Sequence, residues 1–569
     1  MKSNNFRNIP VHNSLTDYFR RAGRWLQGLW NHQSQAPHDA GLLMLAIVTL
    51  SGALEFAHGS YAPAAIGWLA AACLVSAWLL LQLTVKPWPL LIGLLIAAVA
   101  LLGPFKWNQL LYQVISAASP TWWLWVPITV IPLLCMAVMP PEQARWKWNP
   151  PISLAVIILA ELAILSLTHM GFADRVATTW RGEDKWVFMA LSTITLLLIG
   201  LAITGTFTRQ ILFLMILVAQ FYLGVWMFHL LPHPHIDTWP WGQKSAAALL
   251  HGHNPYRITI RDIYRSNTPY YAPGVVKDGR VMVGYVYPPL SLLTSTAGYL
   301  LGGDFRYAEL AMLSISAMLL ALITDMSRDG LLGATMILFL PQVFYVLAMG
   351  WIEPSVLLSF MILLLLAYRK PSWMGVGFAL FLVSKQYVFL SAPLVIMLWP
   401  RPIRKCFVLR FCLQAAVTGC IINLPFLLWD PHAFFNSIVP RHIFRLDALS
   451  LASYWAHQTG HWPPARLWWG SVGLVNLLCL IRLPRRPWAF AFGTGCVYLT
   501  FFAGASEAFD NYYFLIICLF CVALALLLHE RKSLGPDFES DTVSPLQSSR
   551  VAGSRPSVTP ARLAHQQRE

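Results

Sequence analysis

Apolar residues in this chain gather in long unbroken runs, not in the alternating or 3.6-residue stripes of a soluble protein. Seven runs fall near 41–57, 63–84, 88–104, 121–139, 150–169, 186–204 and 210–230. A membrane-spanning helix needs about 20 apolar residues, so each run is predicted to be one. A polar stretch over 231–285 follows, and then the run 286–302. Nine further spans are predicted near 307–324, 331–349, 352–368, 373–384, 388–399, 406–429, 466–482, 487–503 and 511–529. The predicted fold is thus an all-α polytopic membrane protein of about 16 transmembrane helices.

Orientation follows from the basic residues, because short cytoplasmic loops carry an excess of Lys and Arg. With the basic N-terminus inside, Lys86, Arg145, Lys147 and Arg209 all fall in inner loops. The stretch after Leu230 is then outside. If 286–302 crossed fully, the basic groups at Arg369-Lys370, Arg401/Arg404/Lys405 and Arg482/Arg485/Arg486 would all fall outside. If it dips in and returns, they all fall inside. The run is short and holds two prolines and several hydroxyls, which suits a re-entrant or interfacial helix covered by protein or water. Both termini are then cytoplasmic. The pair 373–384 and 388–399 is short for two spans, so the turn Ser384-Lys385-Gln386-Tyr387 is expected within the outer headgroup region.

Four regions result. Residues 1–40 form a basic, amphipathic cytoplasmic N-terminus without the apolar core of a cleavable signal. A six-helix membrane module covers 41–209, and a core covers 210–530 with its outer loop at 231–306. Residues 531–569, rich in Ser, Pro and Arg, read as a disordered cytoplasmic tail.

Composition narrows the classes of function. Of 569 residues, 57% are hydrophobic and 11% charged, and the mean hydropathy is +0.57. Soluble chains carry about 25% charged residues, so a soluble enzyme and a disordered protein are excluded. The net charge of +15 lies mostly in the termini and short loops, which explains it by topology and leaves no nucleic-acid partner. The nine cysteines lie in or beside apolar runs. Cys518 and Cys521 form a CxxC inside the last run, where helix packing explains them.

The outer stretch carries the candidate chemistry. Asp237 lies shortly beyond Leu230, flanked by His233, His235, Trp239 and Trp241. A short Ala-rich helix is expected from Gln243 to Leu250, stopped by Gly252 and Pro255. The turn Gly252-His253-Asn254-Pro255-Tyr256 follows, and Tyr285-Val286-Tyr287-Pro288-Pro289 leads into the next run. The H-x-H spacing of His233/His235 and His251/His253 raises zinc, but histidines beside prolines at an interface need no metal. Glu161, inside an N-terminal run, is expected to face other helices, since a carboxylate at mid-membrane costs about 3 kcal/mol.

This order of motifs resembles the GT-C superfamily of membrane glycosyltransferases, and most closely glycosyltransferase family 87, the polyprenol-phosphate-mannose-dependent alpha-mannosyltransferases. Members have an acidic residue in the first outer loop, then a G-x-N-P-Y turn and a Y-x-Y-P-P-L entry. Gly350-Trp351-Ile352-Glu353, Ser384-Lys385-Gln386-Tyr387 and Asn423-Leu424-Pro425-Phe426 are similar to its later motifs. The resemblance covers about 210–530. It departs upstream, where six additional helices precede the acidic loop.

The resemblance implies transfer of a mannose-like sugar from a polyprenyl-phosphate donor to a lipid or glycan acceptor. The chain would lie in the cytoplasmic membrane among its lipids, with the site facing the exterior or periplasm. Asp237 is the expected base for the acceptor hydroxyl. Lys385, Arg257, Arg261, Arg441 and His442 are candidates for the departing phosphate, with Tyr285 and Tyr287 lining the donor pocket. Asn254, Tyr256, Trp239, Trp241 and Glu353 are assigned to acceptor binding or support, Glu353 also as a support for Lys385. No cofactor or metal is required for an inverting displacement, although phosphate donors sometimes bring a divalent ion. A transporter or flippase without bond chemistry is the alternative, and a polymerase or ligase using an oligosaccharide-diphosphate donor is a third.

Overall fold

A computed structural model describes residues 36–57, 63–81, 209–264, 271–340, 342–439 and 448–534, and the structural statements below refer to these. Arg441, His442, Glu161 and most of the 41–209 module lie outside them. By its contacts the chain divides into units 1–529 and 530–569; the site lies in the first.

The protein is mostly helical. Helices α1 (Ala36–Ala57) and α2 (Pro63–Leu81) form a hairpin. Helix α2 packs on three helices from the far end of the chain, α13 (Leu451–Thr459), α14 (Ala465–Arg482) and α15 (Pro487–Ala503). The Arg482 guanidinium donates to the Leu81 carbonyl at the last turn of α2.

Between these ends run α3 (Arg209–Leu230), α4 (Thr238–Leu250), α5 (Pro289–Gly302), α6 (Arg306–Ile323), α7 (Arg328–Leu338) and α8 (Val343–Ala348). They are followed by α9 (Glu353–Arg369), α10 (Met374–Leu382), a 3-10 helix (Gln386–Leu398), α11 (Lys405–Trp429), α12 (Pro431–Ile438) and, last in the chain, α16 (Asp510–Leu534).

Among the described residues, four helices are long and apolar enough to cross a membrane: α3, α6, α11 and α16. Shorter apolar helices cover α1, α2, the α10 segment, the 3-10 helix and α15. The core is built from these apolar faces and includes wholly buried Leu313, Phe344, Phe360, Tyr498 and Phe520.

Several predicted elements differ in the structure. The span expected over 331–349 is two helices, α7 and α8. The sequence places Pro341 between them, and proline disfavours helical backbone in the residue before it. The short helix expected from Gln243 begins at Thr238, because Pro240 falls in its first turn, where backbone N–H groups have no intrahelical partner. Run 286–302 forms the 14-residue α5, about 21 Å long at 1.5 Å per residue and short of a hydrocarbon core of about 30 Å. It ends on Gly303 at φ 74°, a left-handed cap suited to glycine.

Helices α12 and α13 fall between predicted spans and were not foreseen, and neither were two further features. Residues 386–398 form a 13-residue 3-10 helix around Pro393. Its rise of about 2.0 Å per residue reaches further than an α-helix of equal length. A small antiparallel sheet, ordered β1-β3-β2, joins β1 (Ile260–Arg261), β2 (Val276–Lys277) and β3 (Arg280–Val281). Its hairpin turns on Asp278-Gly279, both at positive φ, the dipeptide that a tight two-residue hairpin favours.

Candidate functional site

Asp237 occupies the position before the first turn of α4, and its side chain does not cap that helix. The carboxylate is buried, near the positive end of a 13-residue helix. The Asp237 N–H donates to the Tyr264 hydroxyl at 3.3 Å, and the Tyr271 hydroxyl donates to Oδ2 at 3.1 Å. Burial pushes the Tyr271 phenol above its ordinary range, and the neighbouring Asp237 charge adds to that. Tyr271 therefore remains a proton donor at neutral pH, and Asp237 the acceptor.

The turn Asn254-Pro255-Tyr256 and the segment 283–287 fold onto one another. Asn254 Oδ1 accepts from the Tyr256 N–H at 2.9 Å, and the Pro255 carbonyl accepts from the Tyr285 N–H at 3.1 Å. The Tyr256 hydroxyl donates to the Tyr287 carbonyl at 3.0 Å, and Trp241 Nε1 to the Val283 carbonyl at 3.2 Å. Gly284 is required here: a Cβ would stand 2.3 Å from the Tyr256 carbonyl oxygen. Trp241, Tyr256 and Tyr285 are buried with Ile260, Val281 and Phe434 in a second hydrophobic cluster. The Tyr285 hydroxyl donates to Ser291 at 3.1 Å. These aromatics pack as one cluster, while Tyr287 is half-buried.

Lys385 lies between α10 and the 3-10 helix and is buried. Its ammonium pairs with Glu353, the first residue of α9. Asn511 Nδ2 donates to the same carboxylate oxygen at 2.7 Å. The ammonium stands 4.8 Å from the Tyr512 ring centre, 5.1 Å from Tyr287 and 5.6 Å from Tyr387, all within the range of cation–π attraction. Burial pulls Lys385 below its ordinary range, and the Glu353 charge opposes that. Glu309, wholly buried, accepts from the Ser355 N–H at 3.1 Å and so caps the first turn of α9. Gln386 Nε2 ties this cluster to the entry segment through the Val286 carbonyl and to the end of α12 through the Ile438 carbonyl.

Tyr287 stands beside the Lys385 ammonium. Burial raises its phenol well above the ordinary range, with charges at Glu353 and Asp237 both adding to the shift.

Other candidates are placed elsewhere. Arg257 is exposed and pairs with Asp430. Arg261 is exposed on β1, opposite Arg280. Trp239 donates to Asp304 Oδ2 at 3.4 Å. His233 packs edge-on against Trp239, and His235 against Tyr264. Among the described residues no three His, Cys, Asp or Glu side chains are grouped to hold a metal. Arg441 and His442 lie outside the described residues.

Sequence reasoning missed Tyr271, Glu309, Asn511 and Arg306. The Asp278-Gly279 hairpin signal marks the ribbon next to Tyr271, and Glu309 and Arg306 are charges at the edge of a predicted span, which require partners. Nothing local distinguishes Asn511. Comparisons with protein-family models, curated proteins and solved structures found no match to this chain.

Proposed function

We propose that the protein is a multi-pass membrane glycosyltransferase of GT-C type, with about 16 crossings and cytoplasmic termini. It transfers a mannose-like sugar from a polyprenyl-phosphate donor to a lipid or glycan acceptor at the outer face of the cytoplasmic membrane. The observations that support this are a buried carboxylate held by Tyr271 and a buried Lys385–Glu353 pair whose ammonium stands over the Tyr287 ring. A prenyl chain in the bilayer brings its phosphate and reacting carbon to the interface, where such a pair is useful.

In the proposed step, Asp237 takes the proton of the acceptor hydroxyl as that oxygen attacks the anomeric carbon. The bond from this carbon to the phosphate oxygen breaks on the opposite face, inverting the centre. The phosphate leaves with the bonding electrons, and its growing charge meets Lys385. Tyr271 fixes the carboxylate by donating to Oδ2, which orients it for the acceptor hydroxyl.

The test uses full-length protein in lipid nanodiscs, a panel of radiolabelled polyprenyl-phosphate sugars and a membrane-lipid extract as acceptor. Labelled product from one donor is expected, and Asp237→Asn is expected to lower turnover by about 100-fold or more while remaining folded. Wild-type turnover in that variant excludes the base. No product from any donor excludes the activity and turns attention to transport.

A further inference from the structure

We infer that Arg306, acting with Asp304, is the positioning residue that sets the Asp237 carboxylate; this rests on the proposed glycosyl transfer. Arg306 begins α6 and is wholly buried. A guanidinium has five N–H donors in a rigid plane, and here each has an acceptor. Nε donates to Asp304 Oδ2 at 2.9 Å, and Nη2 to the same oxygen at 2.6 Å. The second Nη2 hydrogen reaches the Pro232 carbonyl at 3.5 Å. Nη1 donates to the carbonyls of Leu231 and Ala348, both at 2.9 Å. The Phe228 ring centre lies 4.7 Å from the guanidinium carbon.

The acceptors are what give this arrangement its meaning. Leu231 and Pro232 begin the segment that holds Asp237. At its other side Trp239 donates its indole N–H to Asp304 Oδ2. One ion pair therefore grips the chain both before and after Asp237. Thr238, next to the carboxylate, donates to the Met349 carbonyl at 2.8 Å, one residue from the Ala348 carbonyl that Arg306 holds. Gln243 adds a two-way contact, donating to the Gly303 carbonyl and accepting from the Phe305 N–H. A buried arginine that only capped helix ends would not need to bracket one acidic residue. Lysine offers a single point charge in place of the planar fork, so it fills the volume without reproducing the grip.

The experiment compares wild type, Arg306→Lys, Asp237→Asn and the double variant as full-length protein in nanodiscs. Arg306→Lys is expected to lower kcat by about 100-fold with donor KM nearly unchanged, the signature of misplacing a reacting group by about 1 Å. In the double variant Arg306→Lys should add nothing to Asp237→Asn, since it acts only through that carboxylate. Additive losses, or a rise in KM without loss of kcat, overturn the inference. Amide exchange over 231–239, measured without substrate, should quicken in Arg306→Lys and stay unchanged in Asp237→Asn. Unchanged exchange in Arg306→Lys refutes the grip whether or not the protein is a transferase. Full activity of Asp237→Asn refutes the transferase base separately.

Discussion

Two ion pairs in this molecule have similar chemistry and opposite surroundings. Lys385 and Glu353 have side chains 2% and 0% exposed, with a tyrosine cage on the ammonium and an amide on the carboxylate. Arg257 and Asp430 are 69% and 11% exposed. Both pairs join segments distant in sequence. Water and salt screen the second, and exposed pairs of this kind contribute little to stability. In the first, neither charge can be removed alone without leaving the other unpaired in an apolar setting. The first pair is therefore a fixed part of the candidate site, and the second is a brace at its rim.

The largest expected effect breaks the buried pair. Glu353→Gln leaves Lys385 unopposed and is expected to destabilise the protein by about 3 kcal/mol or more, read as a lower melting temperature in nanodiscs. Adding Lys385→Met should restore much of that loss while leaving transfer inactive. A double variant as unstable as the single one would show that the charge is not what matters. Activity should also respond to pH. Burial already lowers Lys385, so the cation is lost as pH rises, below the ordinary lysine value of about 10.4. A milder variant that keeps the carboxylate, Glu353→Asp, should move this alkaline limb lower still. A limb that stays in place would separate Lys385 from the reaction.

A middle-sized effect belongs to the close approach of Gly284 and Tyr256. Gly284→Ala sets a methyl against the Tyr256 carbonyl, a backbone atom that cannot swing away. A loss of about 1–3 kcal/mol is expected, with transfer falling as Tyr287 shifts. A melting temperature equal to wild type would mean that the turn gives way easily.

The smallest effect belongs to the rim. The Asp430 carboxyl is held below its ordinary range first by the Ala433 N–H and then by Arg257. Its contribution is complete above the ordinary aspartate value of about 3.9, and is lost as pH falls through the depressed folded value. Asp430→Asn keeps an oxygen for the Ala433 N–H and loses only a solvent-screened ion pair, so stability at neutral pH should change little, and added salt should erase most of that difference. A loss comparable to that of Glu353→Gln would end the contrast between the two pairs.

How far the sequence could be read depended on how local each feature is. Helices α3, α6, α11 and α16 match their predicted spans closely, because a run of apolar residues specifies its own length. The break between α7 and α8 was marked by Pro341 and hidden by the hydrophobicity around it. Asp237 stood out by its position after a span, and Lys385 by its turn between two short helices. Tyr271 stands 34 residues from Asp237, and Asn511 stands 158 from Glu353. Neither distance leaves any periodicity to follow.

The sequence by itself determined that the chain is helical and apolar and, among the described residues, the bounds of the long apolar helices α3, α6, α11 and α16. Backbone hydrogen bonds and runs of nonpolar side chains are settled within a few turns. Only the tertiary structure decided that Lys385 is neutralised by Glu353, that Tyr271 holds Asp237, and that Arg306 grips both sides of its segment. A charge withdrawn from water must find its partner wherever packing brings one, and packing is a property of the whole chain.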